Sequence, residues 1–443
     1  MRRASQLSLA IAAAALLAYG VAQLERAGST PHAPATETAP PPTTLGGPQP
    51  DALGRIDANI ATYGARARAG HSWLDWNFVA INYMDRARLT GDYADWREAD
   101  LALESAFRDG NGFGPYLTRA ALNSAMHRID RVDADLDAAA GGSIVSQTDR
   151  AQILAMRADA RYYGGRYDEA RALFQEQVER THRDAESLVL LAQLEWHTGR
   201  FPEAVALMDE AQAAADRPDA RTRAVLAWVL TTRAMLERDR GRLDDAMAVL
   251  SRARSASADD PHQDEVRAEV HEARGELDEA LHLFRSVAAR TSSPQSLDGA
   301  ARVLRARGDT IEERELVTTA RQSYEAQMAL FPEAAYGHAI DHWLRLEPGD
   351  VDRMITIAEG NAEARPYGET RVKLAMAYLL AGRIEDARTT LDAVLATEWS
   401  TADLHGVNAL VLEREGQDGA SERAAAEAIA PGAMARLGWL TAS

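Results

Sequence analysis

The chain has no cysteine in its 443 residues. Disulfides, zinc–thiolate sites and a lipid-modified cysteine are therefore excluded. Lysine is nearly missing too: Lys373 is the only one, and arginine supplies the rest of the 49 basic side chains. That bias reads as genome composition. Positive charge is short, with 67 acidic residues against those 49 and a formal net charge of −18, which argues against general nucleic-acid binding. Catalytic signatures are missing as well: there is no P-loop, no glycine-rich dinucleotide fingerprint and no Gly-x-Ser-x-Gly elbow. His271-Glu272, followed by Ala-Arg-Gly, reads as a helix end. Glycine and proline are modest while alanine, arginine, leucine and glutamate abound, which suits helices.

Two N-terminal segments stand apart. Residues 1–24 read as a signal peptide or an N-terminal membrane anchor. Arg2 and Arg3 precede a run without charge from Leu7 to Leu24, and Gly20-Val21-Ala22 places small residues at a plausible cleavage site. Cleaved export, a tether through residues 7–24 and a buried cytoplasmic helix are the three readings. The first two put the body of the protein in the periplasm or another extracytoplasmic space. Residues 25–54 form a Pro/Thr/Ala-rich stretch, with Pro40-Pro41-Pro42 at its centre, and are expected to be an extended linker.

The rest, residues 55–443, is organised by one recurring turn. Gly165-Arg166-Tyr167-Asp168-Glu169-Ala170 precedes Phe174, and Gly199-Arg200-Phe201-Pro202-Glu203-Ala204 precedes Met208; the two alanines are 204 − 170 = 34 residues apart. Glycine closes one helix in the left-handed conformation. The acidic residue suits the positive end of the next helix dipole. The small alanine lets two helices approach, and Phe174 or Met208 follows one turn along the same face. The turn returns at Gly241, Gly275 and Gly382, each with its alanine, at Ala246, Ala280 and Ala387.

This period and pattern resemble the tetratricopeptide repeat, a helix–turn–helix unit that cannot bury its apolar face alone and must stack on neighbours. The expected fold is all-α: a solenoid of antiparallel helix hairpins, about eight to ten repeats. The best repeats are residues 150–217, 221–293 and 369–400, while 295–367 is degenerate because the alanine is lost at Gly308-Asp309 and Gly349-Asp350-Val351. The family's early tryptophan and closing proline are mostly absent, and Leu154 and Leu188 stand in the tryptophan position. Trp73, Trp76, Ala80, Tyr83 and Ala87 form a helical stripe expected to close the N-terminal end of the core. Leu437 and Trp439 are expected to cover the other end.

The resemblance implies a right-handed superhelix whose first helices line a concave groove that holds a protein or peptide partner. In that register the groove-facing residues are Asp159, Tyr162, Glu186, Gln193, Trp196, Trp228, Glu265, Glu269 and Glu272. The mix of aromatic and acidic side chains suits an extended neutral or basic segment, with Tyr162, Trp196 and Trp228 as anchors. The bland alternative is aromatics packed between helices and carboxylates facing water. The lysine and asparagine set with which some family members grip a chaperone's C-terminal carboxylate is not visible. His338 and His342 would share a helix face, which makes them weak candidates for a metal, with no third ligand and no protease glutamate, since Ala339 holds its place. No catalytic residue and no cofactor are expected. The reading is a non-catalytic interaction scaffold of the cell envelope. A small-ligand or metal-binding solenoid is the alternative, and an enzyme of unrecognised type ranks last.

Overall fold

The computed structural model describes residues 52–441 except 112, 143–144, 217–219 and 259. The leader and nearly all of the proline-rich stretch lie outside the described residues. Among those described there is no strand, and no helix is long and apolar enough to cross a membrane.

A first helix, α1 (Ala52–Gly70), opens inside the stretch read as linker. Ten hairpins follow: α2 (Trp73–Thr90) with α3 (Tyr93–Asp109), α4 (Tyr116–Ala125) with α5 (Val132–Ala140), α6 (Gln147–Tyr163) with α7 (Tyr167–Arg180), α8 (Ala185–His197) with α9 (Phe201–Ala215), and α10 (Ala220–Asp239) with α11 (Leu243–Ala256). The second half repeats the arrangement: α12 (Pro261–Arg274) with α13 (Leu277–Thr291), α14 (Pro294–Arg307) with α15 (Thr310–Leu330), α16 (Pro332–Arg345) with α17 (Val351–Ala364), α18 (Gly368–Leu380) with α19 (Ile384–Leu395), and α20 (Ala402–Arg414) with α21 (Ala420–Ile429). A short α22 (Ala433–Arg436) follows the last hairpin.

The turn motif acts as its chemistry requires. In all five good turns the residue after the glycine donates its N–H back across the helix end: Arg166 to Arg161, Arg200 to Glu195, Arg242 to Glu237, Glu276 to His271 and Arg383 to Tyr378, at 2.8–2.9 Å. This is the six-to-one bond of a Schellman close, and it satisfies carbonyls that the helix leaves open. The five alanines Ala170, Ala204, Ala246, Ala280 and Ala387 are fully buried where the helices cross. Phe174, Met208, Leu250, Phe284 and Leu391, each four residues further on, are buried beside them. Each such side chain contributes on the order of 1.5–3 kcal/mol by leaving water. The degenerate region is still helical hairpins; α15 simply runs long, at 21 residues. At the N-terminal end Tyr63 of α1 stacks on Phe78, Trp73 and Trp76 are half-buried, and the Trp76 indole N–H donates to Asp109.

The array also turns back on itself. The Gly368 N–H donates to the Tyr167 hydroxyl at 2.8 Å, the Ser400 N–H to the His197 carbonyl at 2.9 Å, and Arg171 Nη2 to Glu398 at 2.6 Å. Further up the same seam the Arg128 guanidinium lies over the Phe331 ring. These partners are separated by 201 to 227 residues. One superhelical turn therefore stacks directly on the next, and the main core cluster runs from Val79 to Leu440.

Candidate binding chamber

Stacking two turns converts the concave groove into a chamber of about 560 Å³. Its walls come chiefly from first helices: α8, α10 and α12 of one turn, α16, α18 and α20 of the next, with α22 beneath. The seam beside it is aromatic. His197 lies face to face between Trp196 and Trp399, with ring centroids at 4.7 and 5.0 Å. Tyr162, Tyr167 and Tyr367 surround Trp399. The Tyr162 hydroxyl and His197 Nδ1 are 2.8 Å apart. Burial pushes the His197 pKa down to about 4, so its imidazole is neutral near pH 7. The Tyr162 phenol is pushed well above its ordinary value, chiefly by burial, so it keeps its proton.

Two ion clusters face the chamber. Arg238 Nη1 reaches Glu269 at 2.6 Å and its Nε reaches Asp239 at 2.9 Å. Lys373 Nζ lies 3.0 Å from both Asp341 and Glu369. Burial alone would lower the Lys373 pKa, but the two carboxylates outweigh it and raise it above the ordinary lysine value. Lys373 is therefore held as an ammonium, not as a nucleophilic amine. Asp403 is half-buried at the start of α20, and burial raises its carboxyl above the usual range. Arg345 lies over the Trp439 ring at 5.3 Å, also on the chamber wall.

The repeat pattern is independently recognisable. Residues 155–220 match one tetratricopeptide-repeat family model, and residues 261–286 and 368–393 match a second. Those segments are tetratricopeptide repeats. No curated protein matches it. Among solved structures, the repeat array is similar to the APC/C hetero-tetramer Cut9–Hcn1 (12% identity, 88% of this chain and 84% of that one, TM-score 0.41). It is also similar to a human IFIT1 dimer with m7Gppp-AAAA (12% identity, 88% and 95%, TM-score 0.41). A thermophilic repeat protein from Thermus thermophilus covers less of it (20% identity, 47% and 98%, TM-score 0.32). These likenesses say nothing of what this repeat protein binds.

The groove positions expected from the repeat register divide three ways. Trp196, Glu269 and Glu272 line the chamber, although Glu272 is held at 2.6–2.7 Å by the Arg302 guanidinium. Tyr162 lies in the seam between turns instead, because Tyr367 and Trp399 arrive from two hundred residues away to cover it. The remaining five do not line the chamber. Asp159 is buried and pushed up to about 8 by that burial. Glu265 accepts from the Ser296 hydroxyl at 2.9 Å, Gln193 is buried, and Glu186 and Trp228 are half-buried.

His338 and His342 do share one turn of α16, but both ring nitrogens of His342 are already taken, Nδ1 by Asp298 at 2.7 Å and Nε2 by Glu347 at 2.9 Å. Burial opposes charge on this ring, yet the two carboxylates outweigh it and raise its pKa. An imidazolium so held has no lone pair for a metal. Among the described residues no cluster of three or more such side chains is placed to hold an ion. Leu437 is buried at the C-terminal end as expected, whereas Trp439 reaches the chamber. Residues that the repeat register missed are Lys373, Asp341, Glu369, Trp399 and Asp403. The solitary lysine in an arginine-rich chain was an available signal for the cluster around it.

Proposed function

We propose that this repeat protein is a non-catalytic scaffold that holds a polypeptide partner in its chamber, on the outer side of a membrane. The observation that carries the binding site is the convergence of six first helices from two superhelical turns on one cavity. The side chains that could do chemistry there are committed to structure. Lys373 sits between carboxylates, Arg238 is paired with Glu269, and His197 is neutral, stacked and bonded to Tyr162. Export rests on the arginine pair and the uncharged run of the leader alone.

A photoreactive amino acid placed at Ala435, which lines the chamber, tests this against one at Glu279, exposed on a second helix. In intact cells the first position is expected to trap a discrete partner that the second does not. Trapping at Glu279 alone would move the site to the convex face. Fractionation of the same cells tests the location, and recovery only from cytosol would remove the export half of the reading.

A chamber of about 560 Å³ also falls within the usual range for small-ligand pockets. That volume favours the second reading, a small-ligand carrier. Native mass spectrometry of freshly purified protein would reveal it as a retained adduct lost on mild acidification.

A further inference from the structure

The ionisable groups of the chamber do not balance: six carboxyl groups line it against four cationic side chains. The clusters show where the surplus lies. Arg238 serves both Asp239 and Glu269, and Lys373 serves both Asp341 and Glu369. Each cluster gathers two carboxylates around one cation. One belongs to α10 and α12, the other to α16 and α18, so the superhelical closure brings both to the same cavity.

A second observation is independent of charge. Trp399 is only 3% exposed, yet its indole N–H finds no acceptor among the described residues, and the Trp439 indole N–H is likewise buried without one. Both rings line the chamber. An indole N–H can only donate, and a buried donor without an acceptor is costly. A carbonyl oxygen presented inside the chamber relieves that cost. A polypeptide main chain supplies such oxygens at regular spacing.

We infer that the chamber takes an extended polypeptide segment bearing an arginine or lysine, its cationic side chain drawn between the two acidic clusters and its main-chain carbonyls meeting Trp399 and Trp439. An acidic segment is repelled by both clusters. This rests on the polypeptide reading above and adds the chemistry of the segment.

The test uses the full chain and three capped undecapeptides of Gly, Ser and Ala with a central Arg-Leu-Arg, Ser-Leu-Ser or Glu-Leu-Glu, followed by titration calorimetry. The arginine peptide is expected to bind at least tenfold more tightly than the glutamate peptide, with a difference that shrinks as salt is added. Trp399→Phe keeps a ring in the stack but removes the donor, and should weaken the arginine and serine peptides by a similar factor. Asp403→Asn, at a wall position outside both clusters, should weaken only the arginine peptide. Equal binding of all three peptides would overturn the charge preference and leave the polypeptide reading standing. Binding of none would overturn both. Arginine-selective binding unaffected by either variant would place the site outside the chamber and refute the inference. Displacement of the arginine peptide by an equal concentration of spermidine would give the chamber to free amines instead.

Discussion

Two glycines in matching turns measure whether the superhelical turns touch. Gly165 and Gly382 both sit at φ +72°. Alanine at either position carries the same left-handed strain, roughly 1–2 kcal/mol. Their surroundings differ. A Cβ added at Gly165 would meet the Pro366 carbonyl oxygen at 3.0 Å, whereas at Gly382 nothing lies within 4 Å. The oxygen belongs to the opposite turn's backbone and cannot swing aside. Gly165→Ala therefore adds an overpacking cost of about 1–3 kcal/mol, placed at the seam. A stacked array need not unfold in one step, so a local assay is better than a global melt. Hydrogen exchange of the segment 366–400 reports the seam directly, since the Gly368 and Ser400 amides donate across it. Gly165→Ala should accelerate exchange there by about tenfold or more, that cost being worth a factor of ten per 1.4 kcal/mol. Gly382→Ala strains its own hairpin, which lies within that segment, so its readout is across the seam: exchange in the Gly165 hairpin, residues 147–180, should stay unchanged. A Gly165→Ala effect confined to residues 147–180 would refute the stacking of turns.

Other perturbations follow from the same geometry. Arg171→Met strands the buried Glu195 and cuts the link to Glu398, and should cost about 3–5 kcal/mol, while Glu398→Ala, on a carboxylate 35% exposed, should cost about 1 kcal/mol or less; denaturation of the two variants compares them. His197 is neutral when folded, with a pKa of about 4, and takes a proton near 6.5 when unfolded. The unfolded state therefore binds more protons between those values, and stability falls as pH drops from 6.5 through 4, by about 3 kcal/mol in all. His197→Phe should flatten that part of the pH–stability curve, and an unchanged slope would contradict the assignment. His342 has the opposite sign. Its raised pKa contributes stability that is complete below 6.5 and is lost as pH rises through the folded-state value, so His342→Gln should remove an alkaline loss. Ala280→Leu forces a larger side chain into a fully buried helix crossing and should cost about 1–3 kcal/mol in a melt.

The hairpins were legible because their cause is local. Glycine, aromatic, acid and alanine act within six residues, and the 34-residue spacing repeats that action. The closure was not legible, because each of its contacts joins residues two hundred positions apart. Tyr162 reads in sequence like any groove aromatic, and only the arrival of Tyr367 and Trp399 turns it into seam. Trp399 and Ser400 lie in a loop between repeats, where the repeat pattern assigns no role. An aromatic residue there was an unread hint: it packs on Tyr367 of its own hairpin and also on Tyr162 and Tyr167 across the seam. Lys373 read as a quirk of composition, although replacing arginine by lysine gives a compact cation that fits between two carboxylates. Glu265 and Glu272 were expected in the groove, but the sequence does not reveal that Ser296 and Arg302 of the next first helix bond to them.

The chamber exists only where the superhelical turns touch, and the absence of cysteine makes that contact easy to test. A Cβ built on Gly199 lies 3.0 Å from Ser400 Cβ, a little closer than the usual Cβ separation of about 3.5–4.5 Å in disulfides, so a small outward shift suits a bridge. The double variant Gly199→Cys, Ser400→Cys should oxidise under mild conditions to a monomer whose bridged tryptic peptide joins the two positions. Two thiols that stay free, or bridges that form only between chains, would contradict the closed superhelix and the chamber with it.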